Sequence, residues 1–400
     1  MPTKFQSNVA PTYGRFPITP VRGEGVRLWD ADGKEYLDFG GGVAVNSLGH
    51  CHPAMVSAIT EQSNTLIHCS NLYEVPGQAE LASVLSEQVM GAPGKCFFAN
   101  SGAEANELFY KLARRYKGDG RHEIITFTGS FHGRTMGGIS ATAQSKMHDG
   151  FEPLLPGFKY VEFNNVEALR AAISDRTAGI LIEPVQGEGG INIASAEFLN
   201  AAAQLCQEHD LLLFFDEVQC GLGRCGTLKG WQSIEGAEDI VPDAVSWAKG
   251  IGGGFPLGAV WINARDHLCD TLGPGTHGST YGGSPLACAV GLAVLKEIED
   301  AGLCENSAQL GREIVTEVAS WNSPKLSAIR GRGLMIGFEL DPDSFEWQTP
   351  TPALHIINQL TEAGLLTVPA GPNVVRFLPP LTITRADTKQ ALEIFKSIIA

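Results

Sequence analysis

The chain has 400 residues, 44% of them hydrophobic and 18% charged, a balance that belongs to a globular protein with a large core; at roughly 150 residues per domain it predicts two or three domains. A formal net charge of -15 disfavours nucleic acid or an anionic membrane as partner, and any acidic substrate would need local arginines. No run nears the roughly 18 apolar residues of a membrane span, the start "MPTKFQSNVAPTYGRF" lacks the order of a signal peptide, and nine cysteines without regular spacing read as reduced thiols, so the expectation is a cytoplasmic protein without disulfides.

The first cluster with chemical character is "GHCHP" at 49 to 53, which lacks the carboxylates of a metal site; no metal is expected. The apolar run "KCFFAN" (95 to 100) reads as a buried strand. It leads into "SGAEANELFYKLARRY" (101 to 116), a helix whose Leu108, Phe109, Leu112, Ala113 and Tyr116 form one apolar stripe. Ser101 and Glu104 have the capping-box spacing, which leaves backbone N–H groups at Gly102 and Ala103 free to seat a phosphate. The same spacing also serves any ordinary helix start.

Further strands follow at "HEIITFT" (122 to 128), "AGILIEP" (178 to 184), "DLLLFFD" (210 to 216), "AVSWAK" (244 to 249) and "LGAVWIN" (257 to 263), with a helix over "SAEFLNAAAQLCQEHD". Strands without polar alternation are buried on both faces. They predict an α/β domain with a mainly parallel sheet between helix layers. After about residue 288 come a long helix ("LACAVGLAVLKEIEDAGL"), strands "GRGLMIGFEL" and "NVVRFLPPL", and a closing helix near "ADTKQALEIFKSIIA". The expected division is an N-terminal segment 1–55 packed with the small domain, a large domain 56–288 and a smaller α+β domain 289–400.

Asp216 ends a buried strand, where open α/β sheets place their ligands, and an unpaired buried carboxylate is costly unless a cation meets it. Lys249 ends the next strand and precedes "GIGGGFPLG", bare enough for a flat ligand to approach. A salt bridge between the two would satisfy both charges. The other reading is a partly desolvated amine of lowered pKa that can form a Schiff base. A phosphate seat, an aspartate for a pyridinium nitrogen and a reactive lysine together match pyridoxal 5'-phosphate. Neither G-x-G-x-x-G after an early strand nor G-x-x-x-x-G-K-[ST] is present.

From "TYGRFPITPVRGEGVRLWDADGKEYLDFGGGVAVNSLGHCHP" to "VVRFLPPLTIT" the chain resembles the fold-type I, class III pyridoxal-phosphate aminotransferases, and within them the acetylornithine aminotransferases. The resemblance implies a catalytic Lys249 that carries the cofactor, Asp216 at the pyridine nitrogen, Val218 against the ring and Gln219 near its hydroxyl. It implies Ser101, Gly102 and Ala103 at the phosphate, and Phe131 of "SFHGRT" stacked on the ring. "HGSTYGG" implies Thr280 at the phosphate of a neighbouring subunit's cofactor and Ser279 beside the substrate, hence a homodimer. Arg134 and Arg376 resemble the family's carboxylate-binding arginines, which grip the group bidentately. Glu188 of "EPVQGEGG" resembles a gating glutamate that pairs with the arginine at Arg376's position and releases it for 2-oxoglutarate.

The sequence departs from the pattern at Ser284, where many relatives have asparagine, and at Val43, where free-ornithine aminotransferases carry a substrate-holding tyrosine. The second departure favours an acylated amino donor. The implied activity is transamination between N2-acetyl-L-ornithine and 2-oxoglutarate, with succinylornithine, free ornithine and γ-aminobutyrate as rival donors. An aminomutase or decarboxylase on this fold, or a silent binding protein, are the rivals of other classes.

Overall fold

The computed structural model describes residues 8–344, 346–347 and 349–400. At its centre lies a seven-stranded sheet in the order Gly94–Ala99, Gly258–Asn263, Ala244–Trp247, Leu212–Asp216, Thr177–Ile182, Glu123–Phe127 and Phe158–Val161. The five strands from Ala244–Trp247 to Phe158–Val161 pair in parallel, whereas Gly258–Asn263 runs antiparallel to both its neighbours. All six strands expected for this domain are present in the sheet. The edge strand Phe158–Val161 was not foreseen: it is short, with Tyr160 exposed, and carries no long apolar run.

The absence of alternation in these strands has a direct cause. Leu213, Phe215, Val245, Ile180 and Ile182 pack into one core, while Leu212, Phe214, Leu181, Ala244 and Val260 pack into another across the sheet. Helix Gly102–Tyr116 belongs to the second core: Phe109 stacks on Phe214 with ring centroids 4.8 Å apart and planes within 6°. An aromatic pair of this kind adds about 0.5–1.5 kcal/mol beyond its buried area. It fixes the helix, and therefore its N-terminus, against the strand that ends at Asp216.

The N-terminal strands Pro20–Glu24, Arg27–Asp30 and Glu35–Asp38 form an antiparallel ribbon joined to Leu365–Leu366, with Leu37 opposite Leu365. A second antiparallel sheet runs Leu326–Arg332, Met335–Leu340, Val374–Phe377 and Val368–Pro369. Where one strand was expected over "GRGLMIGFEL", the chain instead turns at Gly333, φ +50°. A Cβ there would sit 2.5 Å from the carbonyl carbon of Cys225, so the turn depends on backbone packed against backbone. The long helix also differs from expectation: it ends at Asp300, and a separate helix, Leu303–Ser320, follows Gly302 at φ +60°. No described helix is long and apolar enough to cross a membrane.

Candidate active site

A cavity of about 450 Å³ opens beside the ends of the parallel strands, and Gly102, Ala103, Phe131, Asp216, Val218 and Lys249 line it, together with Ser101, Arg134 and Gln219. Strand and helix placement brings these residues together. Asp216 is the last residue of its strand and stands opposite Ser246 in the neighbouring one, three residues before Lys249.

At the helix start, the Ser101 hydroxyl accepts a hydrogen bond from the Glu104 amide at 3.2 Å. The expected reciprocal half of the capping box is replaced: the Glu104 carboxylate takes the Asn100 amide at 2.7 Å and the Asn100 side chain at 2.8 Å. This carboxylate thereby anchors the residue before the cap. First-turn amides have no partner within a helix, and the dipole favours an anion there, so the cavity wall at Gly102 and Ala103 suits a phosphate.

Gly102 is constrained from behind, because a Cβ would lie 2.7 Å from Val218 Cγ1. Gly102→Ala is therefore expected to weaken cofactor affinity by about tenfold through overpacking, measured by titrating cofactor-free protein. Unaltered affinity would mean that Val218 yields without cost.

Asp216 is 3% exposed. Its Oδ2 accepts from Asn106 Nδ2 at 2.7 Å and lies 2.8 Å from His132 Nδ1, while Oδ1 accepts from the Val218 amide at 3.0 Å. The Ser246 hydroxyl donates to Asn106 Oδ1 at 2.8 Å, which orients the amide with its nitrogen toward Asp216. No ion pair joins Asp216 to Lys249 among the described residues, so the salt-bridge reading of the two charges does not hold. His132, Asn106 and Ser246 were missed from sequence. His132 stands next to Phe131 in the singled-out "SFHGRT", but no spacing rule marks it.

Glu183 was missed as well. It is 6% exposed, accepts from the Phe131 amide at 2.7 Å and from the Gly187 amide at 3.2 Å, and burial raises its pKa. It fixes the backbone that carries the Phe131 ring. Lys249 enters the same space with its pKa lowered, chiefly by desolvation and in part by the charge of Arg376, against the opposing pull of Glu188, Asp216 and Glu183. A larger fraction of neutral amine follows.

Arg376 is 1% exposed. Its Nη1 donates to Glu188 Oε1 at 2.8 Å and Gln219 Oε1 at 2.7 Å, and its Nη2 to the Pro369 carbonyl at 3.0 Å. Burial pushes the Glu188 carboxyl up, but the charge and hydrogen bond of Arg376, with Lys249, bring it net below its usual range. Arg134 is exposed at the mouth: its guanidinium lies 5.4 Å from the centroid of the Phe131 ring and Nη1 is 3.0 Å from Met147 Sδ. These are soft partners, which a carboxylate can displace.

Ser279 and Thr280 lie outside this cavity. They line a separate concave surface of about 1440 Å³ with His277, Asn71 and Gln78. The Ser279 hydroxyl accepts from Asn100 Nδ2 at 3.1 Å and from the Gly282 amide at 2.9 Å, and Thr280 is exposed. Within one chain these two residues do not join the Lys249 cavity. Val43, at φ +64°, packs against a core that includes Ala44, Val185 and Val374; it does not line the Lys249 cavity, whereas Val45 does.

Beside Asp216, Glu217 is 1% exposed and accepts from the Trp231 amide at 3.1 Å and Trp247 Nε1 at 3.4 Å, yet burial pushes its pKa up to about 8. The fold favours the protonated acid. The stability this proton contributes is complete below the ordinary pKa of 4.5 and is lost as pH rises through about 8. The melting temperature of the parent relative to Glu217→Gln should accordingly fall between about pH 5 and about pH 8. A difference independent of pH would contradict the assignment.

The residues fit a flat aromatic ring bearing a phosphate: an aromatic face at Phe131, an aliphatic one at Val218, a buried acceptor at Asp216, a helix N-terminus and an amine at Lys249. Comparison with known proteins agrees. Residues 8–399 match the model of the class-III aminotransferases. The chain is 47% identical to an acetylornithine aminotransferase of Caldanaerobacter subterraneus subsp. tengcongensis, over 97% of this chain and 96% of the relative. It superimposes on the ornithine aminotransferase of Toxoplasma gondii with a TM-score of 0.91 at 32% identity, covering 98% of this chain and 92% of the other. For the N-acetylornithine aminotransferase of Stenotrophomonas maltophilia the values are 0.82 and 35%, with 97% and 96% covered. The chain belongs to the class-III aminotransferase family.

Proposed function

We propose that this enzyme moves the δ-amino group of N2-acetyl-L-ornithine to 2-oxoglutarate in two half-reactions, giving N-acetyl-L-glutamate 5-semialdehyde and L-glutamate, and in the reverse direction serves arginine biosynthesis in the cytoplasm. The observation that carries the donor assignment is the 47% identity, over 97% of the chain, to a protein named for acetylornithine.

Its cofactor is pyridoxal 5'-phosphate, which when bound supplies an electron sink for charge left on the substrate carbon. In this reading Ser101, Gly102 and Ala103 hold the phosphate, Phe131 and Val218 hold the ring between them, and Gln219 sits near its hydroxyl. Asp216, itself held by Asn106 and His132, keeps a proton on the ring nitrogen. Lys249 would carry the cofactor and, once released from it, would hold and move the proton at the substrate carbon, a task that its lowered pKa favours.

Arg134 and Arg376 orient substrate carboxylates, and orientation selects the bond that breaks. With Arg376 paired to Glu188 at 2.8 Å, one arginine is left for a monocarboxylate donor. Opening of that pair supplies the second for 2-oxoglutarate. Thr280 and Ser279 act across a homodimer: they lie by a surface where Leu72 is 91% exposed, with Tyr73 and Tyr281 also exposed, and such apolar side chains call for a covering partner.

A donor panel tests the substrate. Acetylornithine should convert the bound cofactor with a kcat/KM at least about tenfold above those for ornithine, succinylornithine and γ-aminobutyrate, a difference of about 1.4 kcal/mol in transition-state binding. Free ornithine reacting as well or better would overturn the assignment.

A further inference from the structure

Lys249 has φ +48°, in the left-handed region. A side chain bearing a Cβ resists that conformation by about 1–2 kcal/mol, and it persists only where the surroundings enforce it. The turn is closed by Ile251 N to Ala248 O at 3.3 Å, Gly252 N to Lys249 O at 3.1 Å and Gly253 N to Gly250 O at 3.2 Å. These are long backbone bonds in a glycine-rich loop, a weak restraint by themselves.

A shorter restraint comes from far away in the chain. The Ser47 hydroxyl donates to the Gly250 carbonyl at 2.8 Å, the one side-chain hydrogen bond to the backbone of residues 249–251 among the described residues. Ser47 is 2% exposed. It is itself fixed, since its carbonyl accepts from the Leu381 amide at 2.7 Å and the next carbonyl, of Leu48, accepts from Thr382 Oγ1 at 3.2 Å. Val45, two residues earlier, lines the cavity. The segment therefore forms a rigid post between the Lys249 turn and the loop that follows the Arg376 strand.

We propose that Ser47 is a positioning residue for Lys249: its hydrogen bond to the Gly250 carbonyl holds the left-handed turn that presents the amine to the cavity. This rests on the reading that Lys249 carries the cofactor. Ser47 does not itself line the Lys249 cavity, and its side-chain hydrogen bond reaches the site through the Gly250 carbonyl.

The test uses the holoenzymes of the parent, Ser47→Ala and Ser47→Thr. Borohydride reduction and peptide mapping first locate the cofactor; the pH midpoint of its visible absorbance change, the thermal midpoint, kcat and KM are then measured. In Ser47→Ala the label should remain on Lys249, the pH midpoint should move by at least about 0.5 units, and kcat should fall about tenfold with the amino-donor KM within about twofold. Ser47→Thr, which keeps the hydroxyl, should restore both. A parental midpoint and kcat in Ser47→Ala would overturn the inference while leaving Lys249 in its role. A loss that Thr does not recover and that follows a lowered thermal midpoint would reduce Ser47 to general support and overturn it too. A parent labelled elsewhere than Lys249 would instead defeat the functional reading, and this inference with it.

Discussion

Replacing Lys249 with alanine is expected to lower kcat by at least about 1000-fold while the protein still binds its cofactor. The two halves of that result have separate causes. Turnover depends on an amine within reach of the substrate carbon, and among the cavity-lining residues Lys249 is the amine, with desolvation lowering its pKa. Retention depends on groups the substitution leaves in place: the Gly102 helix start, the Phe131 ring and Asp216. Steady-state turnover together with the spectrum of the bound cofactor checks both. Turnover within about tenfold of the parent would remove Lys249 from the chemistry.

The second large effect concerns Asp216→Asn, for which kcat should fall by about 100-fold or more. The hydrogen-bond pattern explains why an isosteric change is so costly. Oδ2 faces two donors, from Asn106 and His132, and Oδ1 faces the Val218 amide. An asparagine must turn its NH₂ toward one side or the other, so at least one donor meets a donor in a site 3% exposed, and leaving a buried donor unpaired costs about 1–3 kcal/mol. The negative charge that would hold a proton on the ring nitrogen is lost at the same time. Pre-steady-state measurement of the first half-reaction isolates this step. A rate equal to that of the parent would show that the charge of Asp216 is not what the reaction uses.

Much of this site was legible in the sequence because it lies at strand ends. Asp216 and Lys249 each close an apolar run, and a parallel sheet puts such residues on one edge. Ser101 announces a helix start by its type and position. What escaped was set by tertiary contact. Asn106 and Ser246 look like ordinary residues of a helix and a strand, and only the packing of Gly102–Tyr116 over Ala244–Trp247 brings them together at 2.8 Å. Glu183 and Glu217 are visible as letters, but their burial is not. The half-formed capping box at Ser101 shows the same limit: the spacing fixed one hydrogen bond, and local geometry sent the Glu104 carboxylate to Asn100 instead.

In the fold, buried strands were readable from unbroken apolar runs, whereas Phe158–Val161 and the break at Gly302 depend on an edge position and on a left-handed residue. The Gly333 turn belongs with them, because what demands glycine there is the backbone of Cys225.

The central claim is that Lys249 is the residue to which the cofactor is attached. Borohydride reduction of the purified holoprotein, followed by proteolysis and mass mapping, tests it most directly. The cofactor mass should appear on the peptide containing Lys249 and be missing from Lys249→Ala treated in the same way. The same mass on any other lysine, or a cofactor-loaded protein that takes no label at all, would contradict it.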